Sequence, residues 1–253
     1  MNSFQLVVFD MAGTTVQDQH EVERCFAQAA SQTHLIVSDE RILAMQGLSK
    51  RFVFETLWSK QLGTATPEEL KAKVDHSYQL FTEILENHYR TQPVLPTAGC
   101  LETFVFLRSN GVKIALTTGF YRKVTDIILR KLGWLEGLDE NYMGNGQTLI
   151  QASIASDEVE QGRPQPFMIQ KAMRLLGVTD PKRVANIGDT PSDLLSGQAA
   201  GVGLNLGVVN GTHSRSQLEP YPHDRLLPSL AELPATLSLS SAQALTNPSN
   251  PSL

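Results

Sequence analysis

Four short apolar runs punctuate the chain: "FQLVVFD" (4–10), "VKIALTT" (112–118), "RVANIG" (183–188) and "GLNLGVV" (203–209). None alternates apolar with polar residues as a half-exposed strand would, and they close on Gly, Asp or Thr. Such runs suit strands buried on both faces of a parallel sheet. Between them the apolar spacing becomes helical in "AGCLETFVFLRSNG" (98–111), "YRKVTDIILRKLG" (121–133) and "PFMIQKAMRLLG" (166–177). Each of these stretches closes on a glycine, Gly111, Gly133 and Gly177, where a left-handed residue ends a helix. The alternation predicts a doubly wound α/β fold.

Residues from about 17 to 93 break that rhythm. "HEVERCFAQAAS", "DERILAMQG", "KRFVFETLWSKQL" and "TPEELKAKVDHSYQLFTEILENHY" all read as helices, the last opening on Thr66 and Pro67 ahead of Glu68 and Glu69. The chain therefore makes one strand, leaves for a helical insert, and returns near "TQPVLPTAG" to finish the sheet. We expect a core of residues 1–16 and 94–237, an insert of 17–93, and a disordered Ser-, Asn- and Pro-rich tail at 238–253.

Composition changes this picture mainly by exclusion. At 253 residues the chain can bury a full core plus a smaller accessory domain. A net charge of −5 offers no general attraction to nucleic acid or anionic lipid. No apolar run is long enough to span a membrane, and "MNSFQLVVFD" lacks the features of a signal peptide, so a cytoplasmic location is expected. Cys25 and Cys100 are the only cysteines and read as buried free thiols; the six histidines show no metal-site spacing.

Open parallel sheets collect ligands at the carboxyl ends of their strands. The first run ends in Asp10, followed by Gly13, Thr14 and Thr15 in a tight turn. The second ends in Thr117 and Thr118 before Gly119, and the third runs into "GDTPSD" with Asp189 and Asp193. Arg163 sits in "QGRPQP". Taken singly these are turn residues, a solvated loop charge and a helix-start acid. On one sheet edge they amount to an oxygen nucleophile, hydroxyl and N–H donors, a fixed cation and a pair of hard metal ligands. That set suits phosphoryl transfer.

"DMAGTTV", "TTG", "GRPQP" and "GDTPSD", in this order, resemble the four motifs of the haloacid dehalogenase superfamily over residues 4 to 210. The resemblance implies a Rossmann-like core with a helical cap domain inserted after the first strand, and a Mg²⁺-dependent hydrolase working through an aspartyl-phosphate. Asp10 would be the nucleophile. Asp10, Asp189 and the carbonyl of Ala12 would hold Mg²⁺, with Asp193 in support. Thr14, Thr118 and Gly119 would bind the phosphoryl oxygens, and Arg163 would take the place of the superfamily's usual lysine.

Phosphatases of this superfamily carry a second Asp where Ala12 stands, and that acid protonates the leaving group. A pseudoenzyme, a dehalogenase, or chemistry with its proton handling elsewhere would each explain the alanine. The retained carboxylates of "GDTPSD" weaken the dehalogenase reading, because halide displacement needs no metal. "D-x-A-G-T-T-V" resembles the phosphonoacetaldehyde hydrolase branch, where a cap lysine forms a Schiff base that makes P–C cleavage feasible. "QGLSK" (46–50) supplies Gly47 and Lys50 at the spacing of that branch's cap motif. To react, Lys50 must lose its proton, so its environment must lower its pKa; the adjacent Arg51 would point elsewhere. Gln46, Val53 and Phe120 depart from the branch's Met, His and Tyr, which puts the substrate in doubt.

The leading expectation is a phosphonatase-like hydrolase acting on a small phosphonate or phosphorylated metabolite. The alternatives are a phosphomonoesterase acting on a compound such as phosphoglycolate and a non-catalytic metabolite-binding module. The apolar stretch "CFAQAA" (25–30) fits packing inside the cap or pairing two caps in a homodimer.

Overall fold

The computed structural model describes residues 4–237, so the expected tail at 238–253 lies outside the described residues. Six strands form one parallel sheet: β1 (Leu6–Asp10), β2 (Lys113–Thr117), β3 (Ala152–Ile154), β4 (Val184–Gly188), β5 (Leu204–Val208) and β6 (Arg225–Leu227). Their order across the sheet is β3-β2-β1-β4-β5-β6. The four strands read from the sequence are β1, β2, β4 and β5, each trimmed by a residue or two. The short edge strands β3 and β6 were not anticipated, because three residues carry no periodicity to read.

Every residue of β1 is buried, as a doubly covered strand requires. Val7 and Phe9 point to one face, joining a cluster with Phe104 and Leu107 of α5 (Cys100–Ser109) and Val124 and Ile128 of α6 (Arg122–Lys131). Leu6 and Val8 point to the other, against Met168, Ile169 and Ala172 of α7 (Phe167–Leu175). The period of two thus builds both layers from one strand. Gly111, Gly133 and Gly177 all take the positive φ expected of helix-closing residues.

Between β1 and α5 lie four helices: α1 (Glu21–Gln32), α2 (Asp39–Ala44), α3 (Lys50–Leu62) and α4 (Pro67–Thr91). The outgoing and returning chain segments are tied together where the insert begins and ends. Gln17 N–H donates to the Leu95 carbonyl at 2.9 Å, and Thr97 N–H donates to that of Thr15 at 3.0 Å. Inside the insert, Phe26 stacks on Phe54 at 4.3 Å and Phe81 closes on both edge-on at 5.9 and 6.0 Å. A buried hydrogen-bond chain crosses the same three helices, from Trp58 Nε1 to Ser77 Oγ (2.8 Å) and on to Thr33 Oγ1 (2.9 Å). Cys25, Phe26, Ala29 and Ala30 of α1 are buried within the chain, so this apolar face is satisfied internally. The expected capping box of α4 is present, with Thr66 and Glu69 bonding reciprocally.

Among the described residues no helix is long and apolar enough to cross a membrane. Cys25 and Cys100 are free and buried, as the sequence suggests.

The aromatic trio is the insert's main anchor, whereas the α4 cap is a local device. Phe54→Ala should lower unfolding free energy by about 3–5 kcal/mol, and Thr66→Ala by about 1 kcal/mol. Urea denaturation measures both; equal losses would contradict this ranking.

Candidate active site

The sheet order reverses at β1, with β2 on one side and β4 on the other. That reversal opens a crevice at the carboxyl ends of these strands. Asp10 closes β1 and Asp189 directly follows β4, so chain topology brings them together. Asp193 arrives from the first turn of α8 (Pro191–Ala200). Carboxylate oxygens of all three buried acids lie within 4.8 Å of one another.

Arg163, itself buried, is the cation that balances them. Its Nη1 meets Asp10 Oδ1 at 2.6 Å, its Nε meets Asp193 Oδ1 at 2.9 Å, and its Nη2 donates to Thr117 Oγ1 at 2.7 Å. Asp193 also serves as the capping-box residue of α8: the Thr190 N–H donates to its Oδ2 at 3.0 Å. The helix-cap reading and the site reading of this acid therefore both hold. Asp189 accepts from Thr14 Oγ1 at 3.0 Å and from Thr212 N–H at 2.6 Å. Asp10 Oδ2 takes no hydrogen bond from the described residues, which leaves one oxygen of this carboxylate uncommitted.

Burial raises the Asp10 carboxyl well above its ordinary value; Arg163 opposes the rise, and Asp193 and Asp189 add to it. Burial and the Asp193 charge push Asp189 up to about 6 against the hydrogen bonds from Thr212 and Thr14. Three carboxylates against one guanidinium leave two negative charges uncompensated, and the donors are hard oxygens. That donor set fits a hard divalent cation.

A narrow cavity opens over Asp10. Its lining joins Asp10, Ala12, Thr118, Gly119 and Arg163 of the sheet edge to Gly47 and Lys50 of the insert. Thr118 Oγ1 accepts from Phe120 N–H at 3.1 Å, so its own O–H remains to donate elsewhere. Thr14 behaves differently from its expected role at a phosphoryl group: it does not line the cavity, and its hydroxyl is spent on Asp189.

Gly47 and Gly119 meet where the insert closes on the sheet. A Cβ on Gly119 would come within 3.0 Å of the Gly47 carbonyl oxygen. One on Gly47 (φ +77°) would fall 2.1 Å from Ser192 Oγ and 2.6 Å from Thr190 Oγ1. Position 47 therefore requires glycine. The wedge sets the start of α3, and with it Lys50, over the cavity. Lys50 is 8 % exposed, and its Nζ donates to Gln46 Oε1 at 3.0 Å. Burial brings its pKa down to about 8, although Asp18, Glu23 and Asp10 pull the other way. Arg51 points away, as expected, to pair with Asp75 and lie over the Tyr78 ring.

Sequence reasoning passed over Asp18. This partly buried acid lines the cavity, and its Oδ1 accepts from the Glu21 N–H at 2.9 Å. Burial and a hydrogen bond with the Glu21 carboxyl raise it to about 8. Its signal was faint: a single acid in "VQDQHE", distinguished only by standing where the chain leaves the sheet.

Arg163→Met would leave Asp10 and Asp193 without their guanidinium. In the presence of chelator it should cost about 3–5 kcal/mol of stability. Arg163→Lys should restore only part of that, since one ammonium cannot span three acceptors. Chemical denaturation decides; an unchanged midpoint in Arg163→Met would refute this account of the charge balance.

The haloacid dehalogenase-like hydrolase family matches residues 4–201. A phosphonoacetaldehyde hydrolase from Bacillus cytotoxicus is 30% identical over 226 residues, covering 82% of this chain and 76% of that protein. In fold, the chain is similar to a phosphonoacetaldehyde hydrolase-like protein from Oleispira antarctica (TM-score 0.77, 17% identity, 97% and 95% of the two chains). It is also similar to a phosphoglycolate phosphatase homologue from Lactobacillus delbrueckii (TM-score 0.71, 16% identity, 92% and 98%). The motif order, the reversed sheet and the family match agree: the chain belongs to the haloacid dehalogenase-like hydrolases.

Proposed function

We propose that this hydrolase is phosphonatase-like and cleaves the P–C bond of a small β-carbonyl phosphonate. The observation that carries the reading is Lys50, a buried amine sharing one cavity with Asp10 where Ala12 offers no acid. The similarity to the Bacillus cytotoxicus phosphonoacetaldehyde hydrolase supports it. Asp10, Asp189 and the Ala12 carbonyl would hold Mg²⁺, with Asp193 behind them, and the bound ion would neutralise charge on the phosphoryl oxygens.

The chain's own groups divide the remaining work. Neutral Lys50 adds to the substrate carbonyl, and loss of water with uptake of one proton from solvent leaves a protonated imine; the final hydrolysis returns that proton. Asp10 then attacks phosphorus while Arg163 holds its other oxygen and Thr118 donates to the phosphoryl group. The P–C bond breaks, and its electron pair flows into the iminium to give an enamine rather than a carbanion. The enamine carbon takes a proton, and water hydrolyses the resulting imine to free the aldehyde and Lys50. Water also cleaves the aspartyl-phosphate, releasing phosphate and restoring Asp10. No second acid at position 12 is needed, because the leaving group departs as an enamine.

Incubation with phosphonoacetaldehyde, Mg²⁺ and borohydride, followed by mass spectrometry, tests this directly. We expect a two-carbon reduced adduct on Lys50, with phosphate released in a parallel reaction lacking borohydride. Lys50→Arg should give neither, and Asp10→Asn should release phosphate at less than about a thousandth of the wild-type rate. Phosphate from a monoester such as phosphoglycolate, with no adduct from the aldehyde, would sink the reading in favour of a phosphomonoesterase.

The pH dependence has a definite sign. The nucleophile is the neutral amine, and burial lowers the Lys50 pKa to about 8. Adduct formation should therefore rise with pH and level off above about 8 instead of near the ordinary lysine value of about 10.4. Initial rates of trapping between pH 6 and 10 measure the midpoint. A midpoint near 10 would mean that the cavity does not desolvate the amine.

A further inference from the structure

Gln46 immediately precedes the Gly47 wedge, and its backbone is fixed from both sides. Its N–H donates to the Leu43 carbonyl at 3.0 Å, and its carbonyl accepts from Ser192 Oγ at 3.5 Å. The side chain lines the same cavity as Lys50 and Asp10 and is 8 % exposed. Its Oε1 accepts from Lys50 Nζ at 3.0 Å, while its Nε2 is buried with no hydrogen-bond partner among the described residues. Lys50 fixes which end of the amide is which, since an amine N–H must face the oxygen. The NH₂ end therefore brings two donors to the cavity wall and spends neither on a described residue. A buried donor left without a partner is costly and calls for an acceptor.

The two ends of an amide sit on one carbon. An acceptor held by Nε2 therefore lies within a short span of Lys50 Nζ, about where the oxygen of a carbonyl would be as the amine approaches its carbon. The phosphoryl end of the substrate is accounted for at Asp10, Arg163 and Thr118, on the sheet side of the cavity. We infer that Gln46 binds both reactants of imine formation: its oxygen positions the Lys50 amine, and its NH₂ group binds the oxygen of the carbonyl under attack. The inference rests on the phosphonatase-like reading for its chemistry, but its binding component stands apart from turnover.

In the step concerned, the amine lone pair forms the C–N bond and the C=O π pair moves onto oxygen. The proton shed by nitrogen ends on that oxygen, giving the carbinolamine. Gln46 neither gains nor loses a proton; it stabilises the oxygen as charge develops there. An apolar residue at this position could do neither task, so Gln46 also selects ligands that carry an oxygen acceptor on the carbon beside the phosphonate methylene.

The test uses a carbonyl that cannot form an imine. Phosphonoacetamide and its apolar isostere 2-methylpropylphosphonate would be titrated calorimetrically into the full-length protein with Mg²⁺. Wild type should favour phosphonoacetamide by roughly tenfold. Gln46→Glu keeps an acceptor for Lys50 and loses both donors; Gln46→Met loses everything polar. Both should abolish the preference, each binding the two probes within about twofold of each other. Equal binding by wild type, or a preference surviving in Gln46→Glu, would overturn the inference. Should the variants fold poorly, the wild-type crystal complex decides. The carboxamide oxygen within hydrogen-bond distance of Nε2 supports the assignment, and an oxygen placed elsewhere refutes it. The two proposals fail separately. A trapped imine without the binding preference removes only the role of Gln46, and the preference without a trapped imine removes only the phosphonatase-like chemistry.

Discussion

The guanidinium of Arg163 holds the carboxyl edge of the sheet together. It contacts Asp10 at the end of β1, Thr117 at the end of β2 and Asp193 at the start of α8. A parallel sheet that reverses its order at β1 must bring the ends of β1 and β4 together. Here both ends carry acids, and α8 adds another. Without a cation between them, such a cluster would be driven to take up protons. Arg163 removes one charge's worth of that pressure and leaves the rest. A planar fork reaching three acceptors at once also fixes the Asp10 carboxylate by one oxygen while its second stays uncommitted. Orientation and incomplete neutralisation thus come from the same side chain.

At Gly47 the insert meets this edge through backbone. Gly47 rests against Gly119 and lies so close to the hydroxyls of Thr190 and Ser192 that a Cβ on it would overlap them. The close contact does two things at once. It shields Lys50, at the start of α3, from solvent, and it brings the amine into the cavity that contains Asp10. An amine on a looser insert would remain a hydrated ammonium. Phe54 of α3 stacks on Phe26 and meets Phe81 edge-on, so the aromatic trio anchors the helix that carries Lys50.

The sequence makes legible those features that obey a local rule. Fully buried strands reveal themselves as unbroken apolar runs, and strand-end acids follow from the tendency of parallel sheets to gather ligands there. Asp10, Asp189 and Asp193 were visible for that reason, and Arg163 through its place in "GRPQP"; the structure places them together. β3 and β6 were not, because three-residue edge strands take their identity from the neighbour they pair with. Asp18 was invisible because only the folded path of the chain turns it toward Lys50. Thr14 lay in the right turn, but whether a hydroxyl faces a ligand or an adjacent acid depends on where Asp189 ends up. Gln46 stood out as a departure, yet its unpaired amide could be found only once Lys50 had claimed the other end.

Ala12 is then more than a missing acid. It lines the same cavity as Lys50, and a carboxylate there would act on that amine as any nearby negative charge does. Asp18, Glu23 and Asp10 already favour the ammonium form, and burial prevails over them only to the extent of a pKa near 8. A further carboxylate, on the strand end and facing the cavity, would add to that pull and keep the amine protonated. It would also add a negative charge to a cluster whose single guanidinium is already outnumbered. Under the proposed phosphonatase-like chemistry, an acid that protonates a leaving oxygen and an amine that must be neutral to attack carbon would place opposite demands on one small volume. Alanine at position 12 relieves both, and it lets the burial of Lys50, not its charge, set what the cavity can do.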